Sequence, residues 1–273
     1  MDDGPDVLRA RVVSGSREFE LEYAWVGASS ALPLLVYLHE GLGSVTMWRG
    51  WPQKLCDAGD FRGLIYSRPG YGHSSARPAH EKWPVGYMHS QATEILPALL
   101  HALDVDAAAE PPWLVGHSDG ASIALIHAAS FPKNVAGLVV LAPHLFVEDL
   151  SISSIAAARE AYVTPDTQRP SLRVKLARHH RDPDSAFWGW NDIWLDPAFR
   201  NWNIESMLPQ ISAPVLAIQG EDDEYGTMAQ LDSIATHVPH AHQLRLAACG
   251  HAPHRDQAQR LTEATLEFIA QHR

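Results

Sequence analysis

The chain has 273 residues, of which 46% are hydrophobic, and this size and composition fit one α/β domain that carries an insertion. Its formal net charge is −11, with only 21 Lys and Arg residues, which argues against nucleic-acid binding because that function requires a basic face. Residues 1–6 are acidic and lack the apolar segment of a signal peptide, and every apolar run is far shorter than the roughly 20 residues that cross a bilayer. We therefore expect a soluble, cytoplasmic protein without a nucleic-acid or membrane partner.

Strand-forming and helix-forming patterns alternate along the chain. The predicted strands cover residues 19–26, 33–38, 62–67, 112–117, 136–142, 214–219 and 242–246. The predicted helices cover residues 46–58, 89–104, 119–130, 227–236 and 255–270. Pro97 is expected to kink the second of these helices or to mark its first turns. Such alternation is typical of the α/β fold class, in which helices cover both faces of a largely parallel sheet.

A polar loop, residues 39–44 (His-Glu-Gly-Leu-Gly-Ser), follows the apolar strand predicted at 33–38. Gly41 and Gly43 have no side chains, so the backbone there can approach a ligand closely. Glu40 is either a solvated loop residue or a polar group at the rim of a pocket. In the second position its charge would repel anionic substrates.

The most informative turn is the G-x-S-x-G sequence of residues 116–120, which is centred on Ser118. The apolar residues 113–115 before it predict the end of a buried strand, and the apolar residues 121–129 after it predict a helix. A sharp strand–turn–helix of this kind forms a nucleophile elbow, which presents a serine hydroxyl at the end of a sheet. An ordinary turn is the alternative interpretation, and the flanking strand and helix disfavour it.

A serine hydroxyl needs a base to act as a nucleophile at neutral pH, and the base needs an acid that orients it. Four acidic residues, 221–224, follow the strand predicted at 214–219. His251 follows the last predicted strand, directly after Gly250. A solvated acidic loop and a surface histidine are each common, but neither explains why serine, acid and histidine occur in this order.

The alternation of strands and helices breaks between His144 and Pro214. Residues 152–161 and 172–180 within this stretch have helical patterns. We interpret residues 146–207 as a helical cap over the site, so that residues 1–145 and 208–273 form the core domain.

Four of the nine tryptophans lie between residues 188 and 202. Aromatic surface of this size must be buried, either in a substrate pocket or in the packing of the cap against the core. Residues just beyond the loop at 39–44 could form the facing wall. The pocket candidates are Leu42, Trp48, Trp188, Trp190 and Trp194, together with Met47 and Trp51.

The two cysteines, Cys56 and Cys249, have no metal-ligand spacing and do not indicate a disulfide framework. We therefore predict neither a metal nor a cofactor. Cys249 either lines the site or fills a small apolar space. Asp119 and His144 are metal-ligating residue types, but a hydrogen-bonding role in their loops fits both better.

Together these motifs resemble the α/β-hydrolase family, from about residue 20 to the C-terminus. The resemblance implies an eight-stranded, mostly parallel sheet. Residues 220–223 are similar to the family's G-x-x-D sequence, whose acid stands fourth, and this selects Asp223 over Asp222. Glu221 and Glu224 are weaker alternatives. The implied catalytic triad is Ser118, Asp223 and His251.

The loop at 39–44 resembles the family's H-G-x-x-G loop, which supplies one backbone N–H to an oxyanion hole. Its register implies Gly41 as the donor, with Leu42 as the alternative, and Glu40 stands where glycine is usual. The second implied donor is the N–H of Asp119, the residue after the nucleophile. Residues 66–74 are similar to the family's D-x-R-G-x-G-x-S turn, and no chemistry is assigned to them.

The resemblance implies a cofactor-free serine hydrolase, an enzyme of the carboxylesterase type. Its expected partner is a small to medium, rather apolar ester, because a cap disfavours polymers and large triglycerides. Lactones and the carbon–carbon bonds of aromatic ring-fission products are alternative substrates of the same triad. A homodimer is left open.

Two further alternatives come from the same fold. A proline-type aminopeptidase would need an acidic pair for the substrate's amino terminus, and Glu148 with Asp149 or Glu205 could serve. A ligand-binding protein without turnover is the alternative from another functional class. Dehalogenases and epoxide hydrolases are disfavoured, because they need an Asp nucleophile where this chain has Ser118.

Overall fold

The centre of the molecule is one eight-stranded sheet; the computed structural model describes residues 6–28, 33–78, 80–164 and 170–272. The strands are β1 (Val7–Ser14), β2 (Arg17–Gly27), β3 (Leu34–Leu38), β4 (Arg62–Tyr66), β5 (Trp113–His117), β6 (Gly137–Leu141), β7 (Val215–Gly220) and β8 (His242–Leu246). Across the sheet they follow the order β1-β2-β4-β3-β5-β6-β7-β8. The pairs β1–β2 and β2–β4 are antiparallel and the other pairs are parallel. The predicted fold class is thereby confirmed.

The strands differ in how clearly the sequence signals them. Every residue of β3, β5, β6 and β7 is buried, so each strand is a short apolar run, as expected where both faces are covered. The edge strand β1 was missing from the seven strands predicted from the residues. Its buried side chains are those of Ala10 and Val12, while Val7, Leu8 and Val13 are exposed.

The α-helices are α1 (Trp51–Gly59), α2 (Tyr87–Ser90), α3 (Leu96–Ala102), α4 (Asp119–Ser130), α5 (Asp149–Val163), α6 (Leu172–Leu176), α7 (Pro183–Trp194), α8 (Ala229–His237), α9 (Pro253–Asp256) and α10 (Ala258–Gln271). The helix predicted at 46–58 is divided, because Arg49 has a φ of 53° between a 3-10 turn (Val45–Trp48) and α1. The helix predicted at 89–104 contains a π turn (Gln91–Ile95). Pro97 stands in the first turn of α3, a position that tolerates its missing N–H.

The residues between β6 and β7 form α5, α6, α7 and two 3-10 helices, Pro197–Asn201 and Glu205–Gln210. We call residues 146–207 the cap segment, and its status as a separate domain stays a prediction. The start of the cap segment is bonded to the loop after β7. The hydroxyls of Ser151 and Ser154 donate to the backbone carbonyls of Tyr225 and Glu224, and the Glu148 carboxylate accepts from Thr227.

The loops that carry the predicted site residues follow the carboxyl ends of parallel strands. Residues 39–44 follow β3, Ser118 follows β5, and residues 221–224 follow β7. Because these strands run in the same direction, the loops meet at one edge of the sheet.

None of the described helices has the length and apolar character needed to cross a membrane.

Candidate active site

Ser118 occupies a strained turn between β5 and α4. Its φ of 53° and ψ of −119° lie outside the regions that non-glycine residues favour. The flanking glycines are required by close contacts. A Cβ atom on Gly116 would lie 2.4 Å from the carbonyl oxygen of Gly120, and one on Gly120 would lie 2.0 Å from that of Leu38. The G-x-S-x-G sequence therefore forms a tight elbow with Ser118 at its apex.

His251 and Asp223 form a hydrogen-bonded pair. The Nδ1 atom of His251 lies 2.8 Å from Oδ1 of Asp223, and the side chain of Asp223 is almost fully buried. The same carboxylate accepts the backbone N–H of Tyr225 and the side-chain amide of Gln219. Burial, the largest single influence, would raise the pKa of Asp223, but the hydrogen bonds from His251 and the Tyr225 N–H and the charge of His251 together outweigh burial and hold the pKa below its usual range.

The other acidic residues of this loop do not contact the imidazole ring. The side chains of Glu221, Asp222 and Glu224 are exposed. Glu224 accepts the backbone N–H of His251 at 3.2 Å. Of the four candidates, the structure therefore brings the Asp223 carboxylate to the ring of His251.

The two predicted oxyanion donors, Gly41 and Asp119, line the same cavity as Ser118 and His251. The N–H of Asp119 is the first of helix α4, and such an N–H has no acceptor within its own helix. Within the described ranges, neither this N–H nor that of Gly41 donates a loop hydrogen bond. Both groups are therefore available to a substrate oxygen.

Gly41 packs directly against the cap segment. A Cβ atom at this position would lie 2.2 Å from Nε1 and 2.3 Å from Cδ1 of Trp190, so no side chain fits without displacing one of the two. This contact gives a packing reason for the glycine at the predicted donor position.

The side chain of Asp119 points away from the substrate space into a buried polar network. It accepts hydrogen bonds from the Tyr87 hydroxyl at 2.6 Å and from Nε1 of Trp194 at 3.3 Å. The Arg68 guanidinium lies 3.9 Å from it. Burial raises the pKa of Asp119 above its usual range, although these three neighbours oppose the rise. The network joins the elbow to helix α7 of the cap segment.

The cavity has a volume of about 400 Å³. Among the pocket candidates, Leu42, Met47, Trp190 and Trp194 line it. Trp48, Trp51 and Trp188 are not among the described lining residues. Trp48 is buried and stacks on Trp51 with ring centroids 5.9 Å apart, and Trp188 packs against Tyr162 and Phe187.

Helix geometry separates the tryptophans of α7. Trp190 and Trp194 are four residues apart and therefore share one face of the helix, which is the face over the cavity. Trp188 lies on another face, where the Arg159 guanidinium sits 5.3 Å from its ring. The spacing of the three tryptophans in the sequence could therefore have shown that Trp188 does not share a helix face with Trp190 and Trp194.

Two aromatic residues beside His251 were not predicted as pocket residues. The Tyr225 ring lies 4.7 Å from the His251 ring, and the His144 ring lies 5.8 Å from it. Burial lowers the pKa of His144 to about 3, so this ring is neutral at pH 7. No sequence signal distinguishes Tyr225, because it stands next to four acidic residues in an exposed-looking loop.

The other residues that the sequence suggested for the site lie outside the described cavity lining. Cys249 is buried and is not a described lining residue. Glu148 bonds Thr227, Asp149 pairs with Arg200, and Glu205 accepts from Ser233. Within the described residues, no group of three His, Cys, Asp or Glu side chains could hold a metal ion.

Glu40 turns its side chain toward the elbow and lines the cavity. Its Oε2 atom lies 3.6 Å from Nδ1 of His117, and only 16% of the side chain is exposed. Burial, the largest single influence, would raise the pKa of Glu40, but His117 and the neighbouring rings of His254 and His39 together outweigh burial and hold the pKa well below its usual range. A carboxylate is thus part of the cavity wall.

Comparison with known proteins places this geometry in a family. Residues 35–264 match the sequence model described as the alpha/beta hydrolase family. The 2-hydroxy-6-oxo-6-phenylhexa-2,4-dienoate hydrolase of Burkholderia cepacia is 23% identical over 259 residues, which cover 86% of this chain and 87% of that protein. A pimeloyl-[acyl-carrier protein] methyl ester esterase of Xanthomonas oryzae is 29% identical over 215 residues, which cover 68% of this chain and 81% of that protein.

Among solved structures, a thermophilic esterase from Thermogutta terrifontis superimposes with a TM-score of 0.70 at 20% identity, over 98% of this chain and all of that one. This likeness extends over the sheet and its helices and therefore shows a shared fold. With the family match over most of its length, the chain belongs to the α/β-hydrolase family.

Proposed function

We propose that the protein is a serine hydrolase that cleaves a carboxylic ester bond in a small to medium, rather apolar substrate. The observation that carries the proposal is the 2.8 Å contact between His251 Nδ1 and Asp223 Oδ1, beside a cavity that His251 shares with Ser118. A histidine whose Nδ1–H is bonded to a carboxylate offers its Nε2 as a base. Esterases among the relatives and solved structures support the same chemistry.

Each group has one role in the proposed reaction. His251 Nε2 takes the proton of the Ser118 hydroxyl while the Ser118 oxygen attacks the ester carbonyl carbon. The N–H groups of Gly41 and Asp119 stabilise the negative charge that develops on the carbonyl oxygen. The alcohol leaves with the proton from His251, and the acyl group stays on Ser118. Water then attacks the acyl carbon with His251 as base, which releases the carboxylic acid and returns the proton to Ser118.

The charges around the cavity favour uncharged substrates. The described lining residues include four acidic ones, Glu40, Asp119, Glu224 and Asp256, and one guanidinium, that of Arg255. Asp119 is turned into the buried network and Glu40 faces His117, so Glu224 and Asp256 against Arg255 leave the wall acidic. The relative from Burkholderia cepacia is named for a dienoate, which is a carboxylate. An acidic wall repels such an anion, so we favour a neutral ester over a ring-fission dienoate. The apolar wall formed by Leu42, Trp190 and Trp194 suits an apolar acyl or alcohol group.

The carboxylates predicted for the aminopeptidase alternative do not lie at the described cavity. Glu148, Asp149 and Glu205, the carboxylates considered for binding an amino terminus, are bonded to other residues and are not described lining residues of the cavity. Ester hydrolysis needs no such site.

Active-site labelling tests the proposal. A fluorophosphonate probe should label Ser118, as located by intact mass and peptide mapping, and Ser118→Ala should abolish the labelling. Wild-type protein should then turn over short p-nitrophenyl esters many times. Absence of labelling in well-folded protein would contradict the proposal, and a single turnover with retained product would favour the ligand-binding alternative.

The adjacent acids provide a matched pair of variants. Asp223→Asn should lower kcat by about 10⁴-fold, because an amide in place of the carboxylate favours the wrong imidazole tautomer. Asp222→Asn, at an exposed position, should leave kcat and KM unchanged. Equal loss in both variants would show that the loop matters as a whole and that Asp223 has no special role.

A further inference from the structure

The position of Glu40 in its loop is fixed at several points. Its backbone carbonyl accepts hydrogen bonds from the Arg68 guanidinium at 2.8 Å and from the N–H of Gly43 at 3.0 Å. A Cβ atom on Gly43 would lie 2.4 Å from Glu40 Oε2, so the glycine at position 43 provides the space that the carboxylate occupies. The conformation of the loop therefore holds the Glu40 side chain in one position.

The Glu40 carboxylate faces one nitrogen of the His117 ring, and an acceptor also faces the other. Nε2 of His117 lies 2.7 Å from the backbone carbonyl oxygen of His251, and a carbonyl can only accept, so Nε2 must carry a proton. Nδ1 lies 3.6 Å from Glu40 Oε2, a carboxylate oxygen that also attracts a proton. At 3.6 Å this contact is longer than a hydrogen bond and Nδ1 has no hydrogen-bond partner among the described residues, so the attraction is that of an ion pair. A neutral imidazole with its proton on Nε2 would turn a lone pair toward the carboxylate, whereas an imidazolium bonds the carbonyl and turns a positively charged N–H toward the carboxylate.

The other groups near Glu40 do not compete for this role. Burial lowers the pKa of His254 to about 3 and that of His180 to about 4, and burial also lowers the pKa values of His39 and His179. These four rings are therefore neutral at pH 7. The Arg68 guanidinium bonds the backbone carbonyl of Glu40.

We propose that Glu40 is a positioning residue, whose carboxylate keeps His117 as an imidazolium that holds the backbone carbonyl of His251. The contacts run from the loop that carries the Gly41 N–H, through the residue next to Ser118, to the residue predicted as the base. The pair of Glu40 and His117 thus fixes how the loop of Gly41, the elbow of Ser118 and the predicted base His251 lie relative to one another. The role in catalysis rests on the proposed ester hydrolysis, whereas the charged state of the pair does not.

Nuclear magnetic resonance tests the charged pair without reference to activity. In protein labelled with ¹⁵N-histidine at pH 7.5, the ¹⁵N shifts of the His117 ring should report two protonated nitrogens, with the signal assigned by its loss in His117→Gln. In Glu40→Gln the same ring should carry one proton, because its counter-charge is gone. A neutral His117 in wild-type protein would overturn the proposal.

Kinetics on p-nitrophenyl esters test the positioning role. Glu40→Gln should lower kcat by about 10- to 100-fold, the size expected when reacting groups are slightly misplaced, with KM changed less than about twofold. Since Glu40 acts through His117, adding His117→Gln to Glu40→Gln should cost little more than the larger single effect. Unchanged kcat in Glu40→Gln, or losses that multiply in the double variant, would overturn the role.

The control is Glu22→Gln. Glu22 is also a buried carboxylate, and it accepts hydrogen bonds from the Ser67 hydroxyl and the His73 N–H, outside the described cavity lining. Glu22→Gln should change the free energy of unfolding without changing kcat. Fluorophosphonate labelling of Ser118 in the wild-type protein separates the two proposals. Absence of labelling would contradict ester hydrolysis, whereas the ¹⁵N spectra of His117 would still show whether Glu40 and His117 form a charged pair.

Discussion

The predicted oxyanion donor Gly41 is also the residue against which the cap segment packs. Replacing it with alanine would put a methyl group about 2 Å from the Trp190 ring, so the loop or the ring must shift. Because a small misplacement of a catalytic group can cost about 10²-fold, we expect Gly41→Ala to lower kcat/KM on p-nitrophenyl esters by about that factor.

Gly50→Ala is the matched control for this variant. Gly50 has an ordinary φ of −83°, and a Cβ there would meet nothing within 4 Å among the described residues. Its kcat/KM should equal that of wild type. Full activity in Gly41→Ala would show that the Gly41 N–H does not bind the oxyanion, and Leu42 would become the candidate.

At the scale of elements, helix α7 is joined to the core through the indole of Trp194. This N–H lies 3.3 Å from Asp119 Oδ1 and 3.2 Å from the Tyr87 hydroxyl. Trp194→Phe keeps an aromatic ring but removes a donor to a buried carboxylate, which should lower the free energy of unfolding by about 1–3 kcal/mol in urea titrations.

Trp188→Phe, on another face of the same helix, should change the free energy of unfolding by less than about 1 kcal/mol, because the half-buried Trp188 indole makes no described hydrogen bond and only its contact with the Arg159 guanidinium is weakened. If both variants are equally destabilised, ring size would matter and the hydrogen bond would not.

The sequence alone was sufficient to predict the structure wherever one residue or one short pattern determines the local geometry. The G-x-S-x-G turn and the apolar central strands are of this kind, since each depends on neighbours in the chain. The contact of Glu40 with His117 joins residues that are far apart in sequence and close only because β3 and β5 pair. The burial of Trp48 outside the described cavity lining is of the same kind, because its contact with the ring of His254 brings together residues that are far apart in sequence.

At the scale of the whole molecule, buried histidines make stability depend on pH. Burial lowers the pKa values of His144 and His254 from 6.5 to about 3, and that of His180 to about 4. Below pH 6.5 the unfolded chain binds protons at these positions and the folded chain does not, so acid favours unfolding until the folded pKa values are reached. Each such group contributes about 1.4 kcal/mol per pH unit in that window.

We therefore expect the urea midpoint to fall steadily between pH 6.5 and pH 4. The lowered pKa of Asp223 adds to the loss at the acid end, since a carboxylate that is bonded when charged must be protonated there. A midpoint that stays constant down to pH 5 would contradict the neutral, buried state of the three rings.

The bonds between the cap segment and the loop after β7 limit how this protein can be re-engineered. Ser151 and Ser154 of α5 hold the carbonyls of Tyr225 and Glu224, the two residues that follow Asp223. Exchanging the cap for that of a relative, in order to transplant its substrate range, would remove these donors. A functional chimera would then need to import the 221–227 loop together with its cap, so the unit that evolution or a designer can exchange is discontinuous in the sequence.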